Sequence, residues 1–190
     1  MGLLDAFRKD EVVGTKVLVC ALGADFEELR KNDERIYKRF YPATTSLTVN
    51  TVTELEQVVR QRPDMLHLFC AVDSKGAIED AAGSRISGAA LLQACVDGGV
   101  KLLWIASDNP ADSYKAGFSP KGMKLNVVLT ERRLGPNCSL FIDSLLTKTA
   151  AGEQFSKAWS VVSNPVGKSV QPDVPHTVVS LGRGAVVLRP

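Results

Sequence analysis

Residues 65–72 read Met-Leu-His-Leu-Phe-Cys-Ala-Val, and Asp73-Ser-Lys-Gly76 follows at once. The run is apolar but for His67, short, closed in front by Pro63 and behind by turn residues. Those features predict a strand buried on both faces. Two further runs share the pattern: Lys16 to Leu22, closed by Gly23, and Val100 to Ala106, broken by Asp108-Asn-Pro110. A strand with no polar face needs cover above and below. Helices on both faces of a mostly parallel sheet supply it.

The segments between these strands carry helical periodicity. The spacing predicts a helix over Asp33 to Tyr41, with Ile36, Tyr37 and Phe40 on one side and Pro42 as its stop. Ser46 to Val52 alternates, with Leu47, Val49 and Thr51 on one face, as a half-exposed strand does. Thr53 and Glu56 have capping-box spacing ahead of a helix that turns Leu55, Val58 and Val59 inward. Residues 77–86 read as a hairpin or loop excursion. Ser87 caps a helix with Leu91, Leu92, Cys95 and Val96 inward, ended by Gly98-Gly99. Asp112 to Phe118 reads as a short helix, and Leu125 to Thr130 as another strand. Two helices follow: one from Cys138 to Ala150 with Phe141, Ile142, Leu145 and Leu146, the other with Phe155, Ala158, Trp159 and Val162. Past Asn164-Pro165, two strand-like pieces, His176 to Leu181 and Ala185 to Leu188, read as a β-hairpin turned by Gly182-Arg-Gly184. The expected class is therefore an α/β protein, a three-layer α/β/α sandwich on a mostly parallel sheet. Its expected organisation is an extension over 1–15, the α/β domain over 16–165, and a loop with the C-terminal hairpin over 166–190.

Composition narrows the function. The chain has 190 residues, enough for one domain with a full core, and a net charge of +2 that makes no general case for nucleic acid. Cys20, Cys70, Cys95 and Cys138 form no CxxC pair, so they read as core filling in a reducing, cytoplasmic compartment. His67 and His176 share no ligand spacing with them, and no cofactor motif is present. No apolar run has the length of a membrane span. The start, Met1 to Lys9, is too short for a signal peptide. Gly2 lacks the Ser or Thr that myristoylation wants at position 6, and Leu3, Leu4 and Phe7 are expected to dock on protein or membrane.

The stretch from Arg62 to Val162 resembles the CHAT domain, a bacterial relative of the caspase-like cysteine peptidases. The resemblance rests on RPDMLHLFCAVDSKG (62–76), ISGAALLQAC (86–95), VKLLWIASDNP (100–110), LNVVLTERR (125–133) and FIDSLLTKTAAGEQFSKAW (141–159). It implies a caspase-like fold. It also implies where a dyad would stand: a His just past the Met65–Val72 strand, and a Cys at the end of the Val100–Ala106 strand. Those places fall at about Ala71 and Asp108, so neither residue type is there, and His67 matches the structural His inside the strand. The resemblance thus implies a degenerate, non-catalytic module of a bacterial multi-protein assembly, in anti-phage defence or stress signalling.

Other chemistry remains open at the strand ends, where such sheets gather their functional groups. Asp73 and Asp108 either share a divalent cation, or act as the acid and base of a hydrolase, or simply cap turns. Ser107 is a candidate nucleophile without the usual glycine elbow. His67 is a candidate base or a core histidine hydrogen-bonded to backbone. A displaced dyad would draw on Cys20 or Cys138 with His67 or His176. The Arg132-Arg133 pair reads as a solvated face. Partners are expected to be other protein subunits, with Ser46–Val52 and the tail as edges that could pair with a second copy.

Overall fold

The computed structural model describes residues 11–132, 136–163, 177–180 and 185–190. The initial segment with Gly2, Leu3, Leu4 and Phe7, the loop after Asn164-Pro165, His176, the Gly182–Gly184 turn and Arg133 lie outside the described residues. In chain order the elements are β1 (Glu11–Gly14), β2 (Val17–Leu22), α1 (Glu27–Phe40), β3 (Thr45–Val49), α2 (Val52–Arg60), β4 (Met65–Phe69), β5 (Ala77–Glu79), β6 (Arg85–Ser87), α3 (Gly88–Asp97), β7 (Leu102–Ser107), α4 (Ala111–Tyr114), β8 (Asn126–Glu131), α5 (Pro136–Ala150), α6 (Phe155–Ser163), β9 (Thr177–Ser180) and β10 (Ala185–Leu188).

The central sheet runs β3-β2-β4-β7-β8-β9. Its first five strands are parallel, and β9 joins antiparallel to β8. The three apolar runs become β2, β4 and β7, the middle of the sheet, and every residue of those strands is buried. Alternation then sorts their side chains. Leu18, Cys20, Leu66, Leu68, Leu103 and Ile105 face one core, which α2 and α3 cover with Leu55, Val58, Val59, Leu91 and Leu92. Val17, Val19, Met65, Phe69, Leu102 and Trp104 face the other, covered by α1, α5 and α6 with Ile36, Tyr37, Phe141, Leu145 and Trp159. Each buried Leu or Phe contributes about 1.5–3 kcal/mol, so the two cores together hold the layers. The α/β/α sandwich read from the pattern is the fold observed.

Three local expectations need correction. The tail does not form a hairpin: β9 pairs with β8, whereas β10 pairs in parallel with β1 in a separate two-stranded sheet. Each tail strand completes a partner elsewhere, and nothing in a strand's own periodicity names that partner. The capping box sits two residues earlier than read. Thr51, in extended geometry after β3, accepts from the Glu54 N–H at 3.1 Å through its hydroxyl, and the Glu54 carboxylate in turn accepts from the Thr51 N–H at 3.2 Å. Finally, α1 starts at Glu27 rather than Asp33. Its polar first turn hides it, and Leu29 is the buried anchor there.

Ser87 does cap α3, accepting from the Ala90 N–H at 3.2 Å. The excursion over 77–86 is an antiparallel hairpin, β5 with β6.

Candidate functional site

Parallel strands all point their carboxyl ends to one edge, so the loops after β2, β3, β4 and β7 form one rim. β4 and β7 are neighbours: Phe69 stands opposite Ala106, and the Cys70 N–H donates to the Ala106 carbonyl at 3.2 Å. Ala71 and Asp108 therefore emerge beside one another in the topology, each just past its strand and each exposed. The two exit loops are tied together. Asn109 donates its side-chain N–H to the Val72 carbonyl at 2.8 Å, and Ser107 Oγ accepts from the Asn109 N–H at 3.3 Å. Ser107 is wholly buried and donates to the Asp108 carboxylate at 3.2 Å, so its oxygen is spent on the loop.

Asp73 closes the turn after β4. Its Oδ1 accepts from the Lys75 and Ala77 N–H groups, each at 2.8 Å, and its Oδ2 pairs with Arg85 of β6. The Ala77 bond foremost, with Lys75 and Arg85, holds this carboxyl below its ordinary value. The bonds of Asp73 and those of Asp108 do not meet. Among the described residues no group of three or more His, Cys, Asp or Glu side chains could hold a metal ion.

His67 lies mid-strand, beneath the rim and fully buried. The expected backbone hydrogen bond is absent: neither ring nitrogen has a partner. The ring instead stacks on Trp104, with centroids 4.1 Å apart and planes 10° apart, and packs against Phe69 and the edge of Tyr37. The strand on either side offers side chains rather than free carbonyls, since β-ladder bonds occupy the backbone. Burial, with help from the Arg132 charge, holds the ring's pKa well below its ordinary value.

The cysteines are equally sheltered. All four are buried thiols. Burial pushes Cys20 and Cys95 up to about 12 and Cys70 higher still, so none of these three is a thiolate at neutral pH. Cys20 pairs in register with Leu68 and faces the α2–α3 core, whereas His67 faces the other layer. The sheet separates that candidate dyad. Cys138 lies on α5 in the layer that holds His67.

The sheet order creates a crevice that the one-dimensional pattern could not locate. From β2 the chain passes to β3 on one side, and from β4 to β7 on the other, so the loops diverge between β2 and β4. A cleft of about 290 Å³ opens there, lined by Leu22, Gly23, Phe26, Ala71, Glu79 and Asp80 among others. One wall is the β5–β6 hairpin, which Asp80 holds in place. Asp80 Oδ1 accepts from the Ala82 and Ser84 N–H groups at 2.9 Å, while Oδ2 accepts from the Val52 N–H at 2.9 Å, the first turn of α2. Asp80 was not among the candidates read from sequence. Its signal was the Asp-Ala-Ala-Gly turn over 80–83, and its tie to α2 is visible only in three dimensions.

Beneath the rim on the α1 side lies a buried ion pair. Arg132, just past β8, donates to Asp33 of α1 at 2.8 Å, with both side chains almost wholly excluded from solvent. The Arg132-Arg133 reading as a solvated face therefore fails for Arg132: a guanidinium with a carboxylate across the layer is buried rather than solvated. Burial outweighs the Arg132 charge and lifts Asp33 to about 6.

No family model matches the sequence, and no curated protein matches it. The fold does match solved structures. One is described as the structure of pro-Sf-caspase-1: 93% of this chain aligns with 92% of that one at a TM-score of 0.53 and 13% identity. The chain thus has a caspase-like fold. No helix among the described residues is long and apolar enough to cross a membrane.

Proposed function

We propose that this chain is a non-catalytic caspase-like interaction module, a subunit or adaptor of a bacterial multi-protein assembly. The observation that carries the reading is the pair of residues at the ends of neighbouring strands β4 and β7. Ala71 and Asp108 stand where the resemblance to CHAT domains would put a His and a Cys. Alanine can neither orient nor accept a proton, and an aspartate offers no thiolate. The burial of Cys20, Cys70 and Cys95 supports the same reading, since a nucleophile must reach its substrate. Such modules act by docking, so the partners are other protein subunits. The half-exposed edge strand β3 offers a place for a second copy to pair. The setting that the resemblance suggests is anti-phage defence or stress signalling.

The test has two arms. Incubated with a mixed peptide library, the purified protein is expected to cleave nothing. With iodoacetamide at neutral pH, its four cysteines are expected to stay unmodified until denaturant is added. Peptide cleavage that Asp108→Ala abolishes, or one fast-labelling cysteine in the native protein, would overturn the reading. Affinity purification from the native host would then identify the partner.

A further inference from the structure

The layer made by α1, α5 and α6 contains an imidazole that the docking role leaves unused. His67 packs there against three aromatic neighbours, Trp104 face to face, Phe69 tilted at 4.5 Å and Tyr37 edge-on at 5.7 Å. Both ring nitrogens lack a hydrogen-bond partner, and so does the Tyr37 hydroxyl. A neutral imidazole tolerates this site as one more flat ring. An imidazolium does not, because it carries two charged N–H donors that need acceptors.

The surroundings supply little to receive such a charge. From α1 come Tyr37 and Asp33; Asp33 is bonded to Arg132 through Oδ1, its Oδ2 and the Tyr37 hydroxyl have no hydrogen-bond partner, and neither reaches an imidazole nitrogen in the packed layer. From the end of β8 comes Arg132, a cation near enough to disfavour a second one. β2 brings Val19 opposite His67, β7 brings Trp104, α5 adds Cys138 to the cluster, and α6 adds Trp159. The opposite core, under α2 and α3, is separated from all of these by the sheet.

We propose that His67 is an acid trigger: a proton taken up there loosens the α1–α5–α6 layer from the sheet while the α2–α3 layer stays packed. The sign follows from linkage. The ring stays neutral in the packed layer and binds its proton readily once released, so acid favours release as pH falls below about 6.5. Asp33 works in the opposite sense. Its folded carboxyl accepts a proton more readily than a free one, so its protonation favours the packed state. Release on acidification is therefore assigned to the imidazole and not to the ion pair.

The molecule carries its own reporter. Its two tryptophans, Trp104 and Trp159, both lie in this layer, with ring centroids 5.1 Å apart. Tryptophan emission thus reads the α1–α5–α6 layer alone, while far-UV circular dichroism reads the whole chain. In a titration of the full chain from about pH 8 to about pH 4, the emission is expected to shift to the red while most helical signal persists. His67→Phe and His67→Gln are each expected to lower the emission midpoint by about one pH unit or more, and His176→Gln to leave it in place. Unchanged midpoints in the His67 variants would overturn the proposal, as would emission and circular dichroism collapsing together. Should neither His67 variant fold, an NMR titration of the two wild-type imidazole C–H resonances decides the matter. Protonation of His67 with tryptophan packing intact would overturn the proposal, and protonation concurrent with loss of that packing would support it.

Discussion

At the scale of single residues, the most consequential contacts belong to side chains that look ordinary in the sequence. Asp80 accepts three backbone N–H groups and joins the β5–β6 hairpin to the start of α2. The Val52 N–H foremost holds its carboxyl below the ordinary value. A depressed folded pKa contributes stability above the unfolded value, near pH 3.9, and loses it as pH falls toward the folded one. Asp80→Ala is therefore expected to lower Tm at pH 7, with the gap from wild type narrowing at about pH 3. Thermal melts at the two pH values check this. A gap that stayed constant would mean that the lost packing, and not the carboxylate, mattered. Gly88 offers a sharper contest between two effects. It opens α3, so helix propensity alone predicts that Gly88→Ala gains about 1 kcal/mol. Yet an added Cβ would lie 2.3 Å from the Gly117 carbonyl oxygen and 3.0 Å from that of Gly76. The backbones of the β4 exit turn, the head of α3 and the turn after α4 meet there without side chains between them. Overpacking of this kind costs about 1–3 kcal/mol, so Gly88→Ala is expected to destabilise. Urea unfolding reads the sign directly.

At the scale of elements, the strands that build the sheet's middle were legible because burial on both faces leaves a nearly continuous apolar run, as in Val17–Leu22, Met65–Phe69 and Leu102–Ser107. Helices with an apolar stripe were legible for the same reason. Boundaries set by hydrogen bonds were not. Thr-x-x-Glu occurs twice in register, as Thr51 with Glu54 and as Thr53 with Glu56, and the two are equivalent as letters. The choice between them is made by tertiary contact. β3 ends at Val49 and Asp80 takes the Val52 N–H, which leaves Thr51 in the extended geometry an N-cap requires. Thr51→Ala is accordingly expected to cost about 1 kcal/mol, while Thr53→Ala, on the exposed first turn, stays within about 0.5 kcal/mol of wild type. Equal losses at the two positions would sink the assignment. The tail shows the other limit. Two short apolar pieces around Gly-Arg-Gly satisfy every local rule for a hairpin, yet β9 and β10 each pair with an older strand instead. The candidate site divides along the same line. Asp73, Ser107 and Asp108 could be placed at strand ends from the pattern, and Ala71 by the resemblance, but the hydrogen bonds that occupy Asp73 and Ser107, and the crevice between β2 and β4, depend on strand order.

At the scale of the whole molecule, the sheet divides two cores of different character. The α2–α3 side is almost wholly apolar, whereas the α1 side carries His67, the Tyr37 hydroxyl and the Asp33–Arg132 pair. That pair links the helix following β2 to the carboxyl end of β8, so it bears on how α1 is seated as a unit. A buried pair gains attraction in a medium of low polarity but forfeits the hydration of both charges, and the two terms nearly cancel. Removing one partner removes the attraction and leaves the desolvation cost of the other. Arg132→Met is therefore expected to destabilise by about 3–5 kcal/mol, because Asp33 stays buried without its cation. Adding Asp33→Leu to Arg132→Met takes away the stranded carboxylate, and the double variant is expected to recover most of the loss or to exceed wild type. The full cycle of single and double variants, measured by urea unfolding, yields the coupling directly. A double variant as unstable as the sum of the singles would mean that the two residues act separately. Recovery would mean that their role lies in choosing where α1 sits, and that the stability of this face comes from its aromatic packing.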